Sequence, residues 1–307
     1  MSRRLKENIK RSCAVKGKNL KDTKGKNVGY MTKSPDYPKG LRGNKYSETA
    51  RFLRCAMEEY AIVNAEVHRA NGEYDFPFCH HEKQNQPIVW HCLRRTSPDF
   101  SSIPWAEQRW DKKRRGKGKA PQHQYLDYVV SLGKGGEIVL WIEYKHRVGY
   151  LNQNQRSKVL ELRSVNGLSN IAREWDNDRK NKLEKMDPNK YKDLWYWSGS
   201  KSKLVKVNLL IMPICVRMKT NRDRANNDVE GKGGRFNRSK KVNVWVSRVR
   251  EKLKQHMKSP INWHAAWALH SELLQNPIEW EDDNGVKWSD SYPAVFFFAQ
   301  VLRGNRN

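Results

Sequence analysis

From Gln122 to Val148 the chain reads QHQYLDYVVSLGKGGEIVLWIEYKHRV. Two apolar runs rich in Val, Ile, Tyr and Trp flank Gly133-Lys134-Gly135-Gly136, and this composition with this punctuation specifies a β-hairpin. Each arm carries charge where a buried strand should carry none. Asp127 interrupts the first arm, and Glu143 and Lys145 interrupt the second. Side chains two apart on a strand share a face, so Glu143 and Lys145 project together while Ile142, Tyr144 and His146 point the other way. Pairing through the Gly turn sets Asp127 opposite the Glu143–Lys145 pair. Two carboxylates and a lysine on rigid strands can hold a divalent metal and position a water. Burying them without a cation is costly, so a strand interior tolerates the arrangement mainly where function needs it.

What such a site could act on follows from charge. Across 307 residues, 60 Lys and Arg stand against 33 Asp and Glu, a formal net charge of +27. A surface of that sign favours polyanions, nucleic acid before anionic membrane. No apolar run approaches the roughly 18 residues of a membrane span, the basic segments lack an interleaved apolar face, and the N-terminus lacks the apolar core of a secretory signal. Five scattered cysteines argue against a disulfide framework and fit a reducing, cytoplasmic setting.

Around the hairpin the organisation reads as follows. Residues 1–45 hold fourteen Lys and Arg against three acids and read as a basic arm, disordered or ordered only on a partner. Helical spacing of Phe52, Leu53, Ala56, Met57 and Tyr60 then predicts an amphipathic helix with Ser47 as its cap. Tyr60–His68 either prolongs that helix or forms a first strand. Residues 71–121 read as irregular, with a strand at Pro87–Leu93 and a basic loop at Lys112–Lys119. After the hairpin come a helical stretch to about Leu183, broken at Asn166-Gly167, and a buried strand at Leu204–Met218, where Pro213 marks a bulge or strand end. A basic, Gly-containing loop spans Asn221–Lys241. Trp245, Val246, Val249, Leu253 and Met257 recur at helical spacing, Ile261–Leu274 reads as a further amphipathic helix, and Pro293–Leu302 must pack inside. The domain reading is therefore an arm over 1–45, a core over 46–219, and a basic loop with a mainly helical C-terminal region over 220–307.

The succession of helix, strands, hairpin with Asp127 and Glu143-Tyr144-Lys145, helix and strand resembles the core of the PD-(D/E)XK nuclease superfamily, over residues 46–218. The resemblance implies an α/β protein with a restriction-endonuclease-like αβββαβ core and a central mixed sheet. It implies an acid on the second core strand, here Asp127, and E-x-K on the third, here Glu143 and Lys145. It further implies an acid from the first helix, for which Glu48 is the first choice and Glu59 the second. Leu126 stands where the motif's proline would be; a literal Pro98-Asp99 lies upstream in surroundings that read as a turn.

The chemistry follows independently of the family. Cleaving a phosphodiester requires an activated water and neutralisation of charge developing on the phosphoryl oxygens. Hard carboxylate oxygens from Asp127 and Glu143 suit Mg²⁺, with Mn²⁺ as a substitute, and Lys145 would orient the water or stabilise the charged transition state. The competing reading is an ion-pair ladder on a solvent-facing sheet. Cys79, His80, His81, His91 and Cys92 are zinc-ligand types, but their spacing fits no common zinc motif, so a structural Zn²⁺ on Cys79, His81, His91 and Cys92 is the lesser reading. Gly231–Gly234 lacks the spacing and the following Ser/Thr of a P-loop. The sequence thus points to a Mg²⁺-dependent endonuclease acting on DNA rather than RNA. Its alternative is a non-catalytic nucleic-acid-binding protein using basic residues and Trp stacking. Oligomeric state stays open, a dimer included.

Overall fold

The computed structural model describes residues 17–72, 76–80, 82–96, 105–112, 122–132, 137–152, 161–162, 167–186, 203–219, 239–274 and 278–303. In chain order these form β1 (Lys18–Lys21), β2 (Asn27–Met31), α1 (Asn44–Ala70), a 3₁₀ turn (Pro77–Cys79), α2 (Glu82–Thr96), β3 (Trp105–Lys112), β4 (Gln122–Leu132), β5 (Ile138–His146), β6 (Gly149–Asn152), β7 (Glu161–Leu162), α3 (Gly167–Asp178) with a π-helical continuation (Arg179–Leu183), β8 (Lys203–Lys219), α4 (Ser239–Lys254), β9 (Trp263–Leu269), a second 3₁₀ turn (Ser271–Leu274), β10 (Ile278–Glu281) and β11 (Lys287–Arg303). The class is mixed α/β. One sheet of eleven strands runs β1-β2-β9-β11-β8-β5-β4-β3, with β10 on β11, β6 on β8 and β7 on β6. β5 and β8 pair in parallel, joined by a crossover through α3, while β3, β4 and β5 form an antiparallel meander.

Strand alternation divides the core between two faces. Leu140, Ile142 and Tyr144 of β5, Val205, Val207 and Leu209 of β8, and Trp263 and Trp267 of β9 pack with α1 and α2. Leu210, Met212 and Ile214 of β8, Ala266 and Ala268 of β9, and Phe296 and Phe298 of β11 pack with α3 and α4. Val139 and Trp141 of β5 meet Leu183 at the π turn. Pro213 is no strand end: it lies inside β8, one residue before the register shift against β11 between Ile214 and Val216. On its parallel side it falls between the end of β5 pairing at Ile211 and the start of β6 pairing at Ile214, where no ladder donor is required.

Several expectations are corrected here. Residues 17–45 are not a free arm. β1 and β2 pair with each other and β2 with β9, and Leu20, Val28 and Met31 are buried in the core. Asp22 organises their turn by accepting from the Lys24 and Lys26 amides. α1 holds this hairpin through Lys18–Glu58, Arg69–Asp22 and a Glu66 carboxylate accepting from Thr23. The remainder of the basic arm, residues 1–16, lies outside the described residues. So do the Gly133–Gly136 turn, Pro98-Asp99, nearly all of the Lys112–Lys119 run, and the Gly231–Gly234 loop.

α1 is capped at Gly43, not Ser47, and runs on through His68 to Ala70. Pro87–Leu93 is helix rather than strand, because Asn85, Val89, Cys92 and Leu93 are buried at helical spacing on α2. The C-terminal region is not mainly helical. Ile261–Leu274 contains β9, a central strand between β2 and β11 that is buried on both faces. Pairing on both edges outweighs the few tenths of a kcal/mol per residue by which its alanines favour helix. Cys55 is disulfide-bonded, whereas Cys79, Cys92 and Cys215 are free. Among the described residues no helix is long and apolar enough to cross a membrane.

Candidate active site

The hairpin brings Asp127 of β4 against β5. Their ladder closes through Tyr128↔Ile142. One residue further along, the Asp127 carboxylate itself accepts the Tyr144 amide, at 2.7 Å. Leu126 and Tyr128 fall in different core clusters, so the alternation of β4 breaks at Asp127 and the side chain takes over a position that a backbone carbonyl holds elsewhere in the ladder. Glu143 projects from β5 towards α3 and is almost fully buried. Its Oε1 accepts from Lys182 Nζ, while its Oε2 is buried with no hydrogen-bond partner.

Lys145, on the same face as Glu143, pairs with Asp178 at 3.1 Å and lies 3.9 Å from Glu82. Glu82, in the first turn of α2, also accepts from the His146 amide at 3.1 Å and from Arg147 at 3.3 Å. Arg147 grips Glu174 of α3 through two nitrogens, at 2.9 and 3.1 Å. Acidic residues are thus concentrated in one place on a strongly basic chain.

A coincidence of periods makes the arrangement possible. Glu174, Asp178 and Lys182 recur every four residues on α3 and its continuation, a rise of about 6 Å. Glu143 and Lys145 of β5 and Arg147, one residue past its end, recur every two residues, about 6.6 Å. The crossover helix returns antiparallel to β5, so the rows meet rung by rung. An ion-pair ladder does exist; α3 covers its Glu143 and Lys145 rungs, while the Arg147–Glu174 rung is exposed. At its last rung the helix opens into a π turn, closed by the Glu184 amide on the Arg179 carbonyl at 2.9 Å, a deformation frequent at functional sites.

Burial pushes the Asp127 carboxyl up to about 6; the Tyr144 amide and Lys182 pull it down, and Glu82 and Asp178 add to the rise. Burial also drives the Glu143 carboxyl upward, with the Asp127 charge reinforcing it and Lys182 opposing it. Desolvation alone would lower the Lys182 ammonium, but the charges of Glu143, Asp127 and Asp178 outweigh it and raise it.

Asp127, Glu143 and Lys145, named from the sequence, meet in this one cluster. Glu48 does not reach it: its side chain is exposed and pairs with Arg51 at 3.4 Å. Glu59 pairs with Arg95 at 2.9 Å. The acid that a helix contributes is Glu82, and α3 and its continuation contribute Asp178 and Lys182; none of the three is among the residues expected from the sequence. The four-residue spacing of Glu174, Asp178 and Lys182 behind an E-x-K strand was the available signal. The zinc-type residues diverge. Cys92 is buried in the apolar core, His91, its neighbour on α2, faces outward, and His81 lies outside the described residues.

Asp127 and Glu143 supply hard oxygens, and the unpartnered Glu143 Oε2 is a buried acceptor that a cation would satisfy, so the donor set fits Mg²⁺ or Mn²⁺. Among the described residues no three His, Cys, Asp or Glu side chains form a ready-made metal cage. An ion here would complete its shell from water and phosphate, as Mg²⁺ commonly does. In comparisons with known proteins the chain matches no family model, no curated protein and no solved structure.

Proposed function

We propose that the chain is a metal-dependent nuclease hydrolysing phosphodiester bonds, with a restriction-endonuclease-like core and DNA as substrate. The observation that carries this reading is half-buried Asp127 beside buried Glu143, with an unsatisfied Glu143 oxygen and elevated carboxyls, on a chain of net charge +27. Element order supports it. Helices, three antiparallel strands, a helix and a parallel strand follow in sequence, with the acid on the second strand of the meander and Glu143-Tyr144-Lys145 on the third.

In this reading Asp127 and Glu143 hold Mg²⁺, or Mn²⁺ in its place, which supplies charge neutralisation at the phosphoryl oxygens and an acidified water. The Tyr144 amide fixes the Asp127 carboxylate. Lys145, held between Asp178 and Glu82, directs its ammonium to the attacking water or the developing negative charge. Lys and Arg elsewhere bind the phosphates without reading sequence.

A second reading, a non-catalytic nucleic-acid-binding protein, draws on the fact that Lys182 already faces Glu143 and Lys145 already faces Asp178. Plasmid DNA and a matched RNA incubated with Mg²⁺ or EDTA separate the two. The nuclease reading expects Mg²⁺-dependent cleavage of DNA, lowered about 10²–10³-fold by Lys145→Ala and abolished by Asp127→Asn while binding persists. Binding without cleavage of either polymer, or variants cutting at the wild-type rate, would leave the second reading standing.

A further inference from the structure

Three charge pairs stack between α3 and β5, and the third is inverted. In Glu174–Arg147 and Asp178–Lys145 the helix supplies the acid and the strand the base; in Lys182–Glu143 the helix supplies the base. The inversion sets an ammonium on Glu143, whose second oxygen is buried without a hydrogen-bond partner; the Asp178 oxygen in the same condition already faces Lys145 at 3.1 Å. The two members differ in freedom. The Glu143 side chain is 2% exposed, whereas Lys182 retains 31% and stands on the π turn at the edge of the cluster. The carboxylate is fixed and the lysine has a route to solvent.

We propose that Lys182 is an internal counter-cation that stands in for the divalent ion at Glu143, so that ion and ammonium exchange at this carboxylate. The inference rests on the metal-dependent reading above and adds a positioning residue to it. A buried carboxylate stripped of its only cation is strongly destabilising, so the lysine keeps the metal-free protein folded. The cost is a lowered affinity for the metal. Polyanionic substrate shifts the balance, because the displaced ammonium finds a phosphate beside it, and the ion is therefore retained chiefly when nucleic acid is present.

The test is Mn²⁺ binding to the full-length chain without nucleic acid, followed by calorimetry and by the electron paramagnetic resonance of free Mn²⁺. Groups adjoining a metal's ligands alter affinity by about 10–100-fold. Lys182→Met should therefore bind Mn²⁺ about tenfold more tightly than wild type, and Lys182→Arg should stay at the wild-type value. Lys180→Met, which removes an equal charge from the same helix but one paired with Asp176, should not tighten binding. Lys182→Gln, still a hydrogen-bond donor but neutral, should tighten it as the Met variant does, and serves in its place should the latter melt below assay temperature. Neutral variants at 182 that bind no more tightly than Lys180→Met overturn the inference. If wild type still binds Mn²⁺ in that case, and Asp127→Asn abolishes it, the nuclease reading survives the loss. Absence of any Asp127-dependent Mn²⁺ binding overturns both.

Discussion

Replacing Asp127 with Asn should stabilise the metal-free protein above neutral pH while abolishing its response to divalent ions. Burial raises the folded carboxyl from 3.8 to about 6. Between those values the folded state keeps a proton that the unfolded chain has released, so wild-type stability falls as pH rises through this window and the loss is complete above it. A difference of about two pKa units corresponds to roughly 3 kcal/mol at about 1.4 kcal/mol per unit, an upper bound for a group that Lys182 partly compensates. Asn does not titrate, keeps an oxygen for the Tyr144 amide, and matches the protonated aspartic acid in shape. The two proteins should be nearly equal in stability at pH 4, and the variant should be more stable by about 1–3 kcal/mol at pH 8 in EDTA, a rise of a few degrees in Tm for a chain of this size. Saturating Mg²⁺ or Mn²⁺ should reverse the order by stabilising wild type alone. Urea melts from pH 4 to 8, in EDTA and in Mg²⁺, measure both effects. A variant no more stable than wild type at pH 8 without metal would refute the claim that the Asp127 charge is held at a cost.

Further outcomes follow from the same structure. Glu82→Gln should slow cleavage by about tenfold or more, because it removes the carboxylate that helps set Lys145 and Arg147, whereas Glu48→Gln, at an exposed pair, should change neither rate nor Tm measurably; single-turnover cleavage and a melt check both. Replacing the six Lys and Arg of residues 1–16 with Gln should leave the melt unchanged and flatten the salt dependence of DNA binding, which for six phosphate contacts spans about a thousandfold between 50 and 200 mM. Deleting residues 1–31 should instead lower Tm sharply, since it removes two strands and exposes what Leu20, Val28 and Met31 cover, each worth about 1.5–3 kcal/mol of burial.

What could be read from the residues alone was what local chemistry decides. The β4–β5 hairpin follows from β-branched and aromatic runs around a Gly turn, and its register follows from the period of two, so the meeting of Asp127, Glu143 and Lys145 was legible. β8 and α4 were legible for the same reason, one as a long apolar run and the other by its 3.6-residue repeat. β9 was not, because a strand buried on both faces has no alternation to show, and its alanines favour helix until β2 and β11 pair with it. Nor was the order in residues 17–45. Their lysines dominate the composition, while the three apolar side chains that secure them find partners only against α1 and β9. The active-site cluster divides in the same way. Its two carboxylates and one lysine sit on adjacent strands joined by a short turn, whereas Glu82, Asp178 and Lys182 arrive from helices whose placement is set by packing. Only the antiparallel passage of α3 over β5 matches four helical residues to two strand residues and brings Lys182 onto Glu143, and no local rule specifies that passage.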